Sequence, residues 1–132
     1  TWEQLRMMQA SGLVQIQSHT YWHPNFRKER ARLSPPEYEA FVKLQLERSK
    51  QVLEDRLGIE VTALAWPYGI YDSTLENAAR QAGYRTAFGF AGGLAQPSSD
   101  LYTIPRIPVS DTDTGSRFSG LLVRPKRGGR TE

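Results

Sequence analysis

The sequence predicts an α/β fold, parallel strands with crossover helices, amounting to part of a (β/α) barrel rather than a whole one. Three observations predict it. Helical and extended patterns alternate three times along 132 residues with short connections, the arrangement that gives parallel strands with helices crossing back between them. From Val61 to Trp66 the chain is largely apolar on both faces, as in a parallel strand covered on each side. Three or four strands are too few for a closed barrel, which takes about eight. Because the first residue is Thr1 and not Met, the chain is expected to be a piece of something longer.

Each element has its own signal. Residues 2–11 carry Trp2, Leu5 and Met8 at helical spacing, and Gly12 stops that short helix. Residues 13–18 contain Val14-Gln15-Ile16-Gln17, the apolar/polar alternation of a half-buried strand. Residues 20–33, rich in aromatics and charge, read as a loop or broken helix. Ser34 then opens the clearest helix, with Pro35 at its first position and Glu37 completing a capping box. Tyr38, Phe41, Val42, Leu46, Val52, Leu53 and Leu57 form its apolar face and Gly58 ends it. Nothing on this helix suggests chemistry, and it is expected to be scaffold. Residues 59–66 form the next strand, ended by Pro67-Tyr68-Gly69. A helix capped by Asp72 or Ser73 runs to Ala82, and residues 84–88 form a third strand. Residues 101–109 are extended, with Pro105 and Pro108 placing them at an edge or irregular position. A weak helix is expected around 115–123.

Composition bounds the function. One domain, residues 1–123, precedes a basic tail, 124–132, that reads as a disordered end or linker. The formal charge is +3, and the tail alone, with Arg124, Lys126, Arg127, Arg130 and Glu132, accounts for it. The folded part is therefore balanced, which disfavours nucleic-acid binding. The run 27–32, with four basic residues, reads as a solvated face. There is no membrane-length apolar run and no signal-peptide pattern at the start. With no cysteine, disulfides and thiolate metal sites are excluded.

The chemistry-bearing residues sit at predicted strand ends, where α/β folds place their sites. The first strand delivers His19 and, four residues later, His23, and these are the chain's two histidines. Imidazole is the commonest ligand for zinc and its neighbours, and two at this spacing close on one ion if the chain turns between them. Tyr21 and Trp22 lie between them and Pro24 ends the stretch. The second strand end gives Trp66-Pro67-Tyr68-Gly69, which by itself reads as a buried strand end and turn. The extended segment gives Arg106, which by itself reads as a salt-bridge partner.

Taken in order, these residues resemble the polysaccharide deacetylase family, with the NodB-homology or carbohydrate esterase family 4 fold. His19-Thr20-Tyr21-Trp22-His23 matches its His-Ser/Thr-x-x-His metal motif, and Ala65-Trp66-Pro67-Tyr68-Gly69 stands where the family has Arg-x-Pro-Tyr. Together with Gly83-Tyr84 and Ile104-Pro105-Arg106-Ile107, the Trp-Pro-Tyr-Gly form is most similar to the poly-N-acetylglucosamine deacetylase branch. The resemblance covers roughly residues 2–110. It implies a distorted (β/α) barrel lacking its N-terminal strands, and a parent enzyme that removes N-acetyl groups from an N-acetylglucosamine-containing polysaccharide. It further implies a divalent metal, zinc first, on His19 and His23, and a backbone N–H at Tyr68 as oxyanion donor. Trp22, Trp66 and Tyr71 are the candidate sugar-facing rings, with Tyr21 beside them; core packing is the competing role, open for Trp22 and the stronger one for Trp66. The expected location is extracytoplasmic or in the cell envelope.

The chain also departs from the family pattern. No Asp-Asp pair occurs, and the family's motif of that kind precedes the His motif, so it is expected upstream of Thr1. The family's acid histidine has no counterpart, and Ala65 replaces the motif Arg, for which Arg106 is the candidate substitute as an orienting guanidinium. The chain alone is therefore expected to be catalytically incomplete unless Asp72 or Asp111 stands in for a missing carboxylate. The alternative is a non-catalytic carbohydrate-binding module on the same fold. An open sheet edge is expected to promote homo-oligomers.

Overall fold

The computed structural model describes residues 1–123. The basic tail inferred for 124–132 lies outside the described residues. Helix α1 (Trp2–Ala10) starts on a capping box between Thr1 and Gln4. A short α2 (Phe26–Arg32) resolves the ambiguous stretch 20–33: Asn25 caps it by accepting from Lys28 N (3.1 Å), and Phe26 anchors it at 1% exposure. Its basic side chains are largely solvated. Arg30 pairs with Asp72 at 2.8 Å.

Helix α3 (Pro35–Leu57) keeps the bounds its caps predict, from the Ser34–Glu37 box to a left-handed Gly58 at φ 65°. Strand β1 (Ala63–Ala65) follows, then a tight turn at Pro67–Gly69 and α4 (Ser73–Gln81), capped by Asp72 accepting from Leu75 N at 3.0 Å. Strand β2 (Thr86–Phe88) and the exposed α5 (Gly115–Leu121) complete the order.

β1 and β2 pair in parallel, Leu64 opposite Ala87. Single parallel bridges extend the sheet on both sides, Ser18 to Leu64 and Phe88 to Ile104. The spatial order follows the sequence order, 18, then β1, then β2, then 104, with α3 and α4 as the crossovers. Leu64 and Ala87 are fully buried, and Val42, Leu46, Leu75, Ala79 and Tyr84 belong to the same core. Ala63, Ala65, Thr86 and Phe88, on the alternate face of the strands, are only partly covered.

The strands are shorter than the sequence predicts, and the reason is visible at their starts. Side chains replace the backbone ladder there. Gln17 Oε1 accepts from both Thr62 N (3.0 Å) and Ala63 N (2.9 Å), and Glu54 Oε1 accepts from Val61 N (2.9 Å). The Val61 and Thr62 amides thus have side-chain partners in place of a strand's. The expected strand 13–18 is corrected for a related reason. Only Ser18 bridges to β1, giving Ser18 N to Ala63 O (3.1 Å) and Ala65 N to Ser18 O (2.9 Å).

Candidate active site

Three strand ends converge. At the first, the chain leaves the sheet after Ser18 and turns sharply, with Thr20 at φ 66° and His23 at φ 54°. The turn brings the imidazoles together with ring centroids 4.6 Å apart at 71°. His19 Nδ1 lies 2.6 Å from Ala65 O at the end of β1. A carbonyl only accepts, so Nδ1 carries the hydrogen. A neutral His19 therefore presents its Nε2 lone pair, the arrangement metal-binding histidines use. Both imidazoles are solvent-exposed.

At the second strand end, Tyr68 has φ 55° and its ring packs edge-on to His23, centroids 4.7 Å apart. The turn's internal bonds run from Gly69 N to Trp66 O and from Ile70 N to Pro67 O, and neither uses the Tyr68 N–H. The Tyr68 ring is 63% exposed, as is Trp22. Of the candidate sugar-facing rings, Trp66 is ruled out and takes the core-packing role. It is fully buried and donates Nε1–H to Tyr102 O at 2.9 Å, because the strand alternation turns it into the core. Tyr71 is partly buried, packed against the core.

Arg106 reaches both neighbouring strand ends. Its Nε–H donates to Gly89 O (2.7 Å) and its NH2 to Trp66 O (3.3 Å). Burial lowers its pKa, but guanidinium remains a cation. It holds main-chain carbonyls rather than forming the salt bridge that its isolated sequence context suggests.

The candidate substitute carboxylates are not at the histidines' disposal as a set. Asp72 is engaged by Leu75 N and Arg30, Asp111 is exposed, and no group of three His, Asp or Glu able to hold a metal occurs among the described residues. A groove of about 790 Å³ between α3 and α4 has Arg30 in its lining but neither histidine, nor Tyr68, Asp72, Arg106 or Asp111. Convergent titratable groups at strand ends, not concavity alone, mark the site.

Sequence reasoning missed Gln45 and Ser49. Both lie on α3 at 0% and 6% exposure, one helical turn apart on the stripe that also buries Tyr38, Val42 and Leu46. Polar residues at positions where the helical period demands apolar ones were the available signal. Phe90 was also missed. It is 54% exposed, and its backbone lies so close to Gly69 that a Cβ there would collide with it.

Residues 1–87 match the family model described as polysaccharide deacetylase. The chain belongs to the polysaccharide deacetylase family. Within the family, it is similar to the poly-beta-1,6-N-acetyl-D-glucosamine N-deacetylase of Staphylococcus aureus (strain MRSA252), 27% identical over 83% of this chain and 38% of that protein. The chain thus spans well under half the length of that curated relative. Among solved structures, it is similar to the de-N-acetylase from Aggregatibacter actinomycetemcomitans, at 26% identity and TM-score 0.76, covering 92% of this chain and 53% of the other. A Streptococcus pyogenes deacetylase in complex with acetate, at 22% identity and TM-score 0.80, covers 93% of this chain and 50% of the other and shares the fold. The parallel sheet described above is therefore part of the deacetylase barrel.

Proposed function

We propose that this chain carries the histidine half of a metal-dependent deacetylase site, acting in the whole protein on N-acetyl groups of an N-acetylglucosamine-containing polysaccharide. The observation that carries the reading is the pair of imidazoles 4.6 Å apart, with His19 Nδ1 bonded to Ala65 O so that Nε2 is free. This donor chemistry fits a divalent ion, zinc first, held by His19 and His23 with a further ligand from outside the described residues. Such an ion supplies Lewis acidity and a lowered water pKa.

The chain's own groups would do the rest of what it contributes. Ala65 O fixes the His19 tautomer. The Tyr68 N–H, unused by its turn, would donate to the oxygen that gains charge when an amide is attacked. Arg106 holds the Trp66 and Gly89 carbonyls and so steadies the turn that carries Tyr68. The exposed Trp22 and Tyr68 rings offer faces to a sugar. A polymeric substrate goes with an extracytoplasmic or cell-envelope location. No helix among the described residues is long and apolar enough to cross a membrane.

The second reading, a carbohydrate-binding module without catalysis, is favoured by one observation: no third His, Asp or Glu joins the pair among the described residues. Cobalt(II) and zinc(II) titrations and acetate release separate the two. The chain is expected to bind metal weakly, and His19→Ala or His23→Ala to abolish that binding. The chain alone is expected to release no acetate from N-acetylglucosamine oligomers with added zinc, cobalt or nickel, since each missing acid or base role costs about 10²–10⁴ in rate. A longer chain with an Asp-Asp motif ahead of Thr1 is expected to release acetate, and either histidine substitution to stop it. Acetate release persisting without His19 would overturn the assignment, and a metal-binding but inactive longer chain would favour the binding module.

A further inference from the structure

We infer that Gln45, midway along α3, is the positioning residue of the histidine pair: it clasps the loop between His19 and His23 and so sets the distance between the imidazoles. The inference rests on the metal-binding reading above.

Three backbone amides lie between the two histidines, and each has an acceptor. Thr20 N donates to Ser18 Oγ (3.2 Å), Tyr21 N to Gln45 O (3.1 Å) and Trp22 N to Gln45 Oε1 (2.8 Å). Gln45 thus takes two consecutive amides with its main-chain and side-chain carbonyls. Ser18 Oγ is itself held by Ser49 Oγ at 2.9 Å, one turn along the same helix face. The loop does little to hold itself, since Tyr21 and Trp22 are 41% and 63% exposed, and the ring contact of Trp22 outside the loop is with Phe41, also on α3.

Two further observations indicate that the amide group at position 45 is there for its acceptor. First, Thr20 and His23 bracket the clasped amides with positive φ. Such conformations persist in non-glycine residues only where the surroundings over-determine them. Second, Gln45 is fully buried, yet its Nε2 has no hydrogen-bond partner among the described residues. A methionine would fill the space without that unpartnered donor, so packing alone does not account for glutamine. Its Oε1 is the one side-chain atom with a bonded role, and that role is on the histidine loop.

The test uses the untagged 132-residue chain, whose two histidines give an imidazole spectrum with two resonance sets. Gln45→Met removes the acceptor and keeps the length. Gln45→Glu, protonated when buried, keeps the acceptor. In the metal-free chain, Gln45→Met is expected to lose the nuclear Overhauser contact between the His19 and His23 rings. Its cobalt(II) affinity is expected to fall about 10–100-fold, while Gln45→Glu stays within about threefold of the parent. A Gln45→Met chain that keeps both the ring contact and the affinity overturns the proposal, and if His19→Ala still abolishes metal binding, the functional reading survives it. A parent chain that binds no cobalt sinks the functional reading instead, and the ring contact then decides the clasp alone. Amide exchange in the unsubstituted chain needs no variant to fold. Tyr21 and Trp22 amides should exchange at least about tenfold more slowly than those of the exposed Gly92 and Gly93, and equal rates overturn the clasp.

Discussion

Thr20, His23 and Tyr68 are the non-glycine residues with positive φ among those described, and all three sit at two of the strand ends that form the site. Each costs on the order of 1–3 kcal/mol, which the surrounding hydrogen bonds and packing must offset. Gly69 shows how tightly the site is built. At φ 64° it already favours glycine, and a Cβ on it would collide with Phe90 Cβ and lie 2.9 Å from Phe90 N. The obstacle is largely backbone, so it cannot swing aside as a flexible side chain can. Gly69→Ala is expected to lower stability by at least about 2 kcal/mol, read as a lower urea midpoint with unchanged slope. An alanine variant as stable as the parent would show that the two strand-end loops are not in contact.

At the scale of elements, α3 does two jobs. Its apolar stripe covers the sheet, and the polar residues embedded in that stripe reach the histidine loop. Tyr84, just ahead of β2, is tied to the same helix: its hydroxyl donates to Leu46 O at 2.9 Å. Burial is the main cause pushing the Tyr84 phenol up to about 12 from an ordinary 10.0, against smaller opposing effects of the Ser18 and Ser49 hydroxyls. The folded state therefore holds its proton more tightly than the unfolded chain. The stabilisation is fully present below about pH 10 and is lost as pH rises from there through about 12, on the order of 2–3 kcal/mol in all. Denaturant melts across that window are expected to show the loss. In Tyr84→Phe this alkaline loss should shrink, leaving the part due to Tyr38, whose phenol is also pushed up by burial, and neutral-pH stability should be lower by about 1 kcal/mol. A phenylalanine variant with the same alkaline slope would mean another group is responsible.

For the whole molecule, the sheet's sequential order leaves its first edge at residues 14–18, where Ser18 alone bridges to β1 and nothing described pairs on the far side. Nearby, Leu13 is 90% exposed, and Met7 and Met8 on α1 are 65% and 45% exposed. An unpaired edge beside apolar surface invites association. We expect the 132-residue chain to run as a dimer or larger species in size-exclusion chromatography with light scattering. A monomer at all concentrations tested would count against an accessible edge. Beyond the bridge at Ile104, Arg106 links the carboxyl ends of β1 and β2 through the Trp66 and Gly89 carbonyls.

Local chemistry determined much of this by itself. Capping residues and terminal glycines bounded the helices, above all α3, since caps act within a few residues of the backbone they satisfy. Two histidines after an alternating run, followed by Trp-Pro-Tyr-Gly and an Arg between prolines, marked the strand ends and the family. Tertiary structure decided what depends on distant partners. Strand length was one such matter, because Gln17 and Glu54 take amides that a ladder would otherwise use. The fate of Trp66 was another, because strand alternation allows either face until the helices choose one. The largest was the role of Gln45: its two bonds close over 23 or more residues of chain, and no local pattern shows which buried glutamine will meet which loop.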